Sequence, residues 1–294
     1  MKRETLNHIP ADILAPDDYM RLAPDFIDDP VWAYIEGAAG FEITASRNRA
    51  AFNEVRLTTR VLQDFSTAST ACSLLGQNFK HPVFLAPVAH QQLVHGDGEK
   101  ASIAGAGAVD ACFVASTLSS FTLEDIAAAG AGPKWFQLYF QLARDSTRDL
   151  VQRAQAAGYS ALVVTVDVPV TAMRYRQQRA GFNLSVVEAN LVAYPRIAPR
   201  TLTRNQSPVL DGFMADAPTW QDIAWLRSVT DLPLLIKGIT HPLDVRQAIA
   251  LGVDGVIVSN HGGRSVDGLP ATLELLPLTR EAAGNRIALL MDGG

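Results

Sequence analysis

The stretch Ala250-Leu-Gly-Val-Asp-Gly-Val-Ile-Val-Ser-Asn-His-Gly-Gly-Arg264 joins the end of a helix to a short strand and a polar turn. Gly252 occupies the position where a left-handed residue commonly ends a helix, and residues 256–259 read as a buried strand. An imidazole and a guanidinium then follow the strand. In parallel α/β folds, catalytic groups collect at this carboxyl end of the strands.

The same junction occurs at residues 156–165 and 282–291. Strands that alternate with helices at this spacing predict βαβ units and a parallel sheet. The strand candidates favour an α/β fold of the (β/α)8 TIM-barrel type over an open doubly wound sheet; they begin near Val83, Cys112, Trp135, Ala161, Pro233, Gly255 and Ile287. No Gly-x-Gly-x-x-Gly follows the first strand, which argues against a dinucleotide-binding Rossmann domain.

The chain divides into two predicted regions. Residues 1–75 predict an N-terminal helical segment, with Pro16 and Pro30 at helix starts. Residues 76–294 predict the β/α barrel. Since the sequence stops directly after the seventh strand candidate, we expect a chain truncated at its C-terminus, with about seven strands and without the last βα unit.

One connection is unusually long. Between the fourth strand, which ends near Val166, and the fifth, which begins near Pro233, only residues 219–230 are expected to be helical. Residues 175–216 contain scattered Pro, Arg, Asn and Gly with little periodicity. A long excursion of this kind inside a compact fold is usually a functional lid or a disordered segment.

The composition limits the classes of function. The chain has 294 residues, of which 48% are hydrophobic, and a net charge of −5, which gives no reason to expect a nucleic-acid partner. Its cysteines are Cys72 and Cys112; the apolar run around the second predicts a buried thiol rather than a disulfide. No signal peptide or transmembrane stretch is recognisable, so a soluble, cytoplasmic protein is expected.

Polar residues follow the predicted strands one after another. Because barrel sites are built from the carboxyl ends of several strands, these residues are expected to converge. They are His90, Ser116, Gln137, Tyr139, Thr165, Asp167, Lys237, Ser259, His261 and Asp292.

The residue types indicate a reaction class. Two arginines, Arg174 and Arg264, can hold a small carboxylate in a bidentate manner. His261 can act as a general base, and Asp167 could hold its tautomer and stabilise the imidazolium. Tyr139 can donate its hydroxyl to a substrate.

Other chemistries are disfavoured by the sequence. A buried Lys237 suits a cofactor that becomes anionic, whereas no nucleophile elbow, Cys/His dyad or glycosidase-type carboxylate pair occurs. His90 and His95, with Asp97, lack the His-Glu-x-x-His spacing, so no metal site is predicted.

From about Tyr34 to Gly294 the chain resembles the FMN-dependent 2-hydroxy-acid dehydrogenase/oxidase family, which includes glycolate oxidase, lactate oxidase and mandelate dehydrogenase. The most specific motif is Ser-Asn-His-Gly-Gly-Arg at residues 259–264, supported by Leu-Ile-Lys-Gly at 235–238 and Thr-Val-Asp-Val-Pro at 165–169. The resemblance implies FMN as cofactor and the oxidation of a small L-2-hydroxy acid, of lactate, glycolate or mandelate type, to the 2-oxo acid. It further implies oxygen or a quinone as electron acceptor and a homo-oligomer, in this family a tetramer.

The resemblance also implies roles for individual residues. Those matching catalytic positions are His261 as the base, Asp167, Tyr139 and Lys237. Those matching contacts to the substrate are Tyr34, Tyr139, Arg174 and Arg264. Those matching contacts to FMN are Pro87, Val88, Ala89, Ser116, Gln137, Thr165, Lys237, Ser259, Asp292, Gly293 and Gly294.

Two departures from the family pattern bear on these expectations. The family commonly has an aromatic residue where this chain has Leu118, and its phosphate-binding segments follow the position of Gly294. A non-catalytic fragment unable to hold FMN is therefore an alternative. An FMN-barrel isomerase is a second alternative, which the set of Arg174, Arg264 and His261 disfavours.

Overall fold

The computed structural model describes residues 2–4, 6–195 and 200–293. Gly294, one of the predicted FMN contacts, lies outside them. The N-terminal region forms three helices, α1 (Pro16–Leu22), α2 (Asp29–Glu36) and α3 (Ile43–Glu54). Prolines stand in the first turns of α1 and α2, where no hydrogen bond from the proline nitrogen is needed.

A small hairpin follows, which the sequence pattern did not predict. Its strands are β1 (Cys72–Leu74) and β2 (Gln77–Phe79), paired antiparallel. Leu75 and Gly76 both have positive φ, as a tight two-residue hairpin turn requires. The strands are only three residues long, too short to show alternation in the sequence.

The central sheet has seven parallel strands that pair in chain order. It curls as part of a barrel with helices outside, which confirms the predicted α/β barrel of about seven strands. The strands are β3 (Phe84–Leu85), β4 (Cys112–Ser116), β5 (Lys134–Leu138), β6 (Leu162–Thr165), β7 (Leu234–Ile239), β8 (Gly255–Val258) and β9 (Ala288–Met291). The helices around them are α4 (Gly98–Ala108), α5 (Leu123–Ala129), α6 (Arg144–Ala156), α7 (Tyr175–Arg179), α8 (Trp220–Ser228), α9 (Pro242–Ala250) and α10 (Thr272–Ala283).

Side chains alternate between the two faces of the sheet, since successive residues of a strand point to opposite sides. The outward set, which includes Phe136, Leu162 and Ile236, packs against the helices in one large cluster. The inward set fills the base of the barrel, where Phe79 of the hairpin contacts Trp135 with ring centroids 6.1 Å apart. The hairpin therefore covers the amino-terminal end of the barrel and leaves the other end for the site.

The long excursion contains more helix than the sequence predicted. Besides α8, it includes α7 and short helical turns within Pro208–Asp216. The five residues of α7 are too few to produce a clear apolar periodicity, which explains why the sequence pattern missed it. Among the described residues, no helix combines the length and the apolar character needed to cross a bilayer.

Candidate active site

A row of polar side chains lies on the inner face of the sheet at its carboxyl end. Ser116, Gln137, Thr165 and Lys237 each follow a buried inward residue by two positions, so the alternation of the strands turns them inward. Ser116 Oγ donates to Gln137 Oε1 at 3.2 Å, and Gln137 Nε2 donates to Thr165 Oγ1 at 3.0 Å. These hydrogen bonds fix the orientation of the three buried side chains on the inner face of the barrel.

Lys237 is a buried cation at the next strand of this row, with 5% of its surface exposed. Its Nζ donates to Ser259 Oγ at 2.8 Å and lies 2.9 Å from the Asp292 carboxylate. Ser259 Oγ also accepts the backbone N–H of His261 at 3.1 Å. Because a buried ammonium needs such partners, the ion pair fixes the ammonium at one end of the site.

His261 and Asp167 form the pair that the sequence predicted. His261 Nδ1 lies 2.9 Å from Asp167 Oδ1, so that a proton on Nδ1 leaves Nε2 free to accept one. Gly238, on β7, has a φ of 111°, and a Cβ there would stand 2.5 Å from the Cβ of Asp167. Only glycine leaves room for Asp167 at this place. The other carboxylate oxygen of Asp167 is buried without a hydrogen-bond partner among the described residues.

The turn that presents His261 has an unusual backbone. His261, Gly262 and Gly263 all have positive φ, between 57° and 72°. A Cβ on Gly263 would lie 2.6 Å from the backbone nitrogen of Ala45 in α3, so the turn packs directly on that helix. For His261, which has a side chain, the left-handed conformation costs about 1–2 kcal/mol, and packing must stabilise it.

A buried pair of amides holds this turn. Asn48 of α3 donates to Asn260 Oδ1 at 3.0 Å, and Asn260 donates to Asn48 Oδ1 at 2.8 Å. Asn260 also donates to the carbonyl of Pro270 and accepts the backbone N–H of Gly263. The N-terminal helices thus support the loop that carries His261. Asn48 could not be predicted from the sequence, because no local pattern connects residues 212 positions apart.

Arg264 makes several hydrogen bonds to backbone carbonyls of the N-terminal region. Its guanidinium donates to the carbonyls of Tyr34 and Ile35, each at 2.8 Å, and to that of Gly37, all at the end of α2. The guanidinium carbon also lies 5.3 Å from the centre of the Tyr34 ring. Arg264 therefore positions Tyr34 at the site, whatever contact it makes with a ligand.

Arg174 is the freer of the two arginines. Its Nε donates to the carbonyl of Arg264 at 3.2 Å, and its terminal nitrogens make no hydrogen bond within the part of the chain that the structure describes. Burial lowers the pKa of Arg174; burial also lowers the pKa of Arg264, and the charge of Arg174 lowers it further. Two partly desolvated cations that face each other favour an anion between them.

Tyr139 and Arg174 line the same cavity and lie close together. Its backbone N–H donates to Thr117 Oγ1 at 3.1 Å, which fixes the end of β5 against β4. Burial raises the pKa of the Tyr139 phenol, and the charge of Asp167 adds to the rise. The phenol therefore keeps its proton and can act as a hydrogen-bond donor.

A second histidine contacts the site. Tyr34 Oη lies 3.2 Å from Nδ1 of His90, and Nε2 of His90 lies 3.2 Å from Oε1 of Glu188 in the long excursion. Phe182, from the same excursion, stacks on the Tyr34 ring at 4.4 Å. The sequence placed His90 among the polar residues at the strand ends, but gave no sign of its contacts with Tyr34 and Glu188. Among the described residues no group of three or more His, Cys, Asp or Glu is placed to hold a metal ion.

These side chains surround one cavity of about 1390 Å³. It exceeds the usual range of roughly 300–1,000 Å³ for a site that takes one small ligand, so a cofactor ring and a small substrate have room together. Asp167 and Ser259 stand behind it in contact with His261 and Lys237. Of the residues that the sequence predicted for the site, those that line the cavity are Tyr34, Pro87, Val88, Ala89, Ser116, Gln137, Tyr139, Thr165, Arg174, Lys237, His261, Arg264, Asp292 and Gly293.

Comparison with known proteins gives consistent matches over nearly the whole chain. The family model described as FMN-dependent dehydrogenase matches residues 23–294. An L-lactate oxidase of Alicycliphilus denitrificans is 46% identical over 290 residues, which cover 98% of this chain and 80% of that protein. The 2-hydroxyacid oxidase 2 of Rattus norvegicus is 38% identical over 279 residues, covering 94% of this chain and 78% of that protein.

A solved structure agrees with these matches. A mandelate oxidase, in complex with 3,3-difluoro-2-hydroxy-3-phenylpropionic acid, superposes on this chain with a TM-score of 0.84 at 35% sequence identity. The superposition covers 95% of this chain and 77% of the oxidase. The chain is therefore similar in sequence and in fold to oxidases of 2-hydroxy acids.

Proposed function

This chain belongs to the family of FMN-dependent dehydrogenases, and we propose that it oxidises a small L-2-hydroxy acid, of lactate, glycolate or mandelate type, to the 2-oxo acid. The family, the enzyme class and the FMN cofactor predicted from the sequence are confirmed by its relatives. We further propose the chirality and the size of the substrate and the roles of the individual residues.

The inner face of the barrel fits the ring of FMN. The amide of Gln137, the hydroxyls of Ser116 and Thr165 and the ammonium of Lys237 form a row of donors and acceptors suited to the heteroatoms of a flavin edge. An apolar wall for the ring is formed by residues that line the cavity, Pro87, Val88 and Ala89. The end of the cavity near Lys237 is formed by Asp292 and Gly293, with Ser259 hydrogen-bonded to the Lys237 ammonium. Bound FMN supplies the acceptor for two electrons.

The substrate carboxylate is proposed to lie between Arg174 and Arg264. An anion there offsets the repulsion of the two guanidinium groups, whose pKa values burial already lowers. Arg174 can present its unused terminal nitrogens as a bidentate pair. The Tyr34 hydroxyl lies at the same end of the cavity and donates to the other carboxylate oxygen.

His261 is proposed to take a proton from the substrate. Oxidation of a 2-hydroxy acid removes the hydroxyl proton, the hydrogen on C2 and two electrons. With Asp167 accepting the proton of Nδ1, Nε2 of His261 carries the lone pair that can receive a proton. Asp167 then stabilises the imidazolium, and Tyr139 donates its hydroxyl toward the substrate oxygen. The observation that carries the proposal is this His–Asp pair in a cavity that also holds two arginines.

Anaerobic reduction of the bound flavin tests the proposal. The protein loaded with FMN is mixed with L-lactate, L-mandelate or glycolate, and the flavin absorbance is followed, with D-lactate as the matched control. At least one of the first three should bleach the flavin, while D-lactate should not. Protein that binds FMN but is bleached by no L-2-hydroxy acid would contradict the proposal.

Oxygen is proposed as the electron acceptor, because the relatives reported above are oxidases. Formation of hydrogen peroxide in step with the 2-oxo acid tests this, and turnover with a quinone but not with oxygen would contradict it. A homo-oligomer is proposed as well, because the segment after α3 exposes the large apolar side chains of Leu57, Val61, Leu62 and Phe65. Light scattering in solution measures the assembly. A cytoplasmic location stays a prediction.

A further inference from the structure

We propose that His90 is a positioning residue that sets the direction of the Tyr34 hydroxyl, so that binding of a substrate carboxylate is coupled to uptake of a proton by His90. The inference rests on the proposed function, in which Tyr34 donates to that carboxylate. It concerns a histidine that lies outside the pair formed by His261 and Asp167.

The position of His90 is closely defined. It is 6% exposed, has a left-handed φ of 58°, and its backbone N–H donates to the carbonyl of Leu118 at 3.1 Å. Its two ring nitrogens face different partners, Tyr34 Oη on one side and the Glu188 carboxylate on the other, each at 3.2 Å. A ring held from both edges can neither turn away nor exchange partners without losing a hydrogen bond.

Glu188 is itself held in place, although it belongs to the long excursion. Two residues further on, the buried Asn190 accepts the backbone N–H of Leu123 at 2.7 Å and donates to the carbonyl of Thr117 at 3.1 Å. The backbone N–H of Ala189 donates to the carbonyl of Ser119. These hydrogen bonds fix residues 189 and 190 to the segment after β4, and so hold the neighbouring Glu188 beside His90.

The direction of the Tyr34 hydroxyl depends on how many protons the His90 ring carries. A carboxylate has no proton to donate, so Nε2 of His90 carries the proton of its bond to Glu188. In a neutral ring Nδ1 is then an acceptor, and the single proton of Tyr34 points at His90. In a ring that is protonated on both nitrogens, Nδ1 donates to Tyr34 Oη, and the phenol proton is free to point into the cavity.

A carboxylate in the cavity needs that phenol proton, so it stabilises the doubly protonated ring. The charged and titratable groups around this contact are Glu188, the Tyr34 phenol, and the guanidinium groups of Arg264, over the Tyr34 ring, and of Arg174, whose charge interacts with Tyr34. On α4, the Glu99 carboxylate accepts the backbone N–H of Gln91, the residue after His90. When the anion binds, His90 takes the additional proton from the solvent.

Calorimetric binding of pyruvate, the 2-oxo acid of lactate, to the FMN-loaded protein tests the coupling. Titration in buffers of different ionisation enthalpy measures how many protons are taken up per pyruvate bound. We expect net uptake for the wild type and none for His90→Asn or His90→Leu. Asparagine tolerates the left-handed backbone and keeps an amide donor near the Nδ1 position, so His90→Asn should retain most of the affinity.

His90→Leu removes both ring contacts and should weaken pyruvate binding about tenfold, the effect of one hydrogen bond to a charged group. In a Tyr34→Phe background it should weaken binding no further, because the phenol through which it acts is gone. Equal proton uptake by the wild type and His90→Asn would overturn the proposal. So would a full additional loss when His90→Leu is added to Tyr34→Phe.

The outcomes separate this inference from the proposed function. If Tyr34→Phe weakens pyruvate binding but the His90 variants bind it with wild-type affinity and proton uptake, the inference fails and the carboxylate site stands. If Tyr34→Phe leaves both affinity and proton uptake unchanged, the role of Tyr34 and the inference fail together, while flavin reduction by L-2-hydroxy acids still reports on the function itself.

Discussion

Nδ1 of His261 lies 2.9 Å from Oδ1 of Asp167, although 94 residues separate the two in the chain. Asp167 follows β6 and His261 follows β8, with β7 between them. The contact spans the strand between them because Gly238 in β7 has no side chain at the point of closest approach. Gly238 in β7 therefore leaves the space in which Asp167, after β6, can reach His261, after β8.

Asp167→Asn should slow the reaction while leaving the fold intact. An amide can occupy the place of the carboxylate but carries no charge to stabilise the imidazolium. We expect kcat to fall about 10²–10⁴-fold, with little change in the affinity for pyruvate. Steady-state kinetics measures it, and the exposed Asp145→Asn serves as the control. Wild-type kcat in Asp167→Asn would contradict the assigned role.

Gly238→Ala should abolish activity through Asp167. The added Cβ would stand 2.5 Å from the Cβ of Asp167, at a φ of 111° that alanine rarely adopts. Gly158→Ala is the matched control, because Gly158 also has a positive φ but no atom within 4 Å of the added carbon. Both variants should lose about 1–2 kcal/mol of stability from the backbone, but only Gly238→Ala should lose its kcat. Equal activity in the two variants would show that Asp167 tolerates displacement.

The two arginines should respond differently to lysine. Arg174→Lys loses a bidentate contact to the substrate, so KM for a 2-hydroxy acid should rise about tenfold or more. The free energy of unfolding should fall by no more than about 1 kcal/mol, since the Arg174 side chain makes a single hydrogen bond, to the Arg264 carbonyl, within the described residues. Arg264→Lys also loses hydrogen bonds to the carbonyls at the end of α2. It should therefore lower the free energy of unfolding by at least about 2 kcal/mol.

Kinetics and urea unfolding of both variants measure the contrast. A rise in KM with unchanged stability in Arg264→Lys would mean that its bonds to α2 do not hold the helix. A stability loss of the same size in Arg174→Lys would mean that this arginine is structural as well.

Tyr139 should make the protein sensitive to alkali. Burial raises the pKa of its phenol in the folded state, so the folded protein holds this proton more firmly than the unfolded chain does. The resulting stability is fully present below the unfolded pKa of about 10 and is lost as the pH rises above it. Tyr139→Phe removes this contribution, and its stability should fall less steeply above about pH 10. Unfolding by urea across this range measures the slopes; identical slopes would contradict the burial of the phenol.

Much of the barrel could be predicted because each strand and helix is marked by residues that lie close together in the sequence. Each strand from β4 to β9 is an apolar run, and the glycine that ends the preceding helix marks where several of them begin. The alternation of inward residues then brings Ser116, Gln137, Thr165 and Lys237 to one face. Several of the polar residues at the strand ends therefore line the cavity, as the order of strands and helices in the sequence led us to expect.

The remaining features depend on contacts between distant parts of the chain. The amide pair of Asn48 and Asn260, the stacking of Phe182 on Tyr34 and the contact of His90 with Glu188 have no sequence signature. Arg264 was predicted as a substrate contact from its residue type, but its bonds to the end of α2 follow from where the N-terminal helices pack. Short elements such as the hairpin β1–β2 and helix α7 were missed because they contain too few residues to show a period.

The proposed reaction depends above all on His261, which takes a proton from the 2-hydroxy acid. The most direct measurement is the anaerobic reduction of FMN-loaded His261→Asn by L-lactate or L-mandelate in a stopped-flow instrument, beside the wild type and the exposed His8→Asn as control. We expect the rate of flavin reduction to fall about 10²–10⁴-fold in His261→Asn, while pyruvate still binds and His8→Asn reacts like the wild type. Flavin reduction by His261→Asn at the wild-type rate would mean that His261 is not the base.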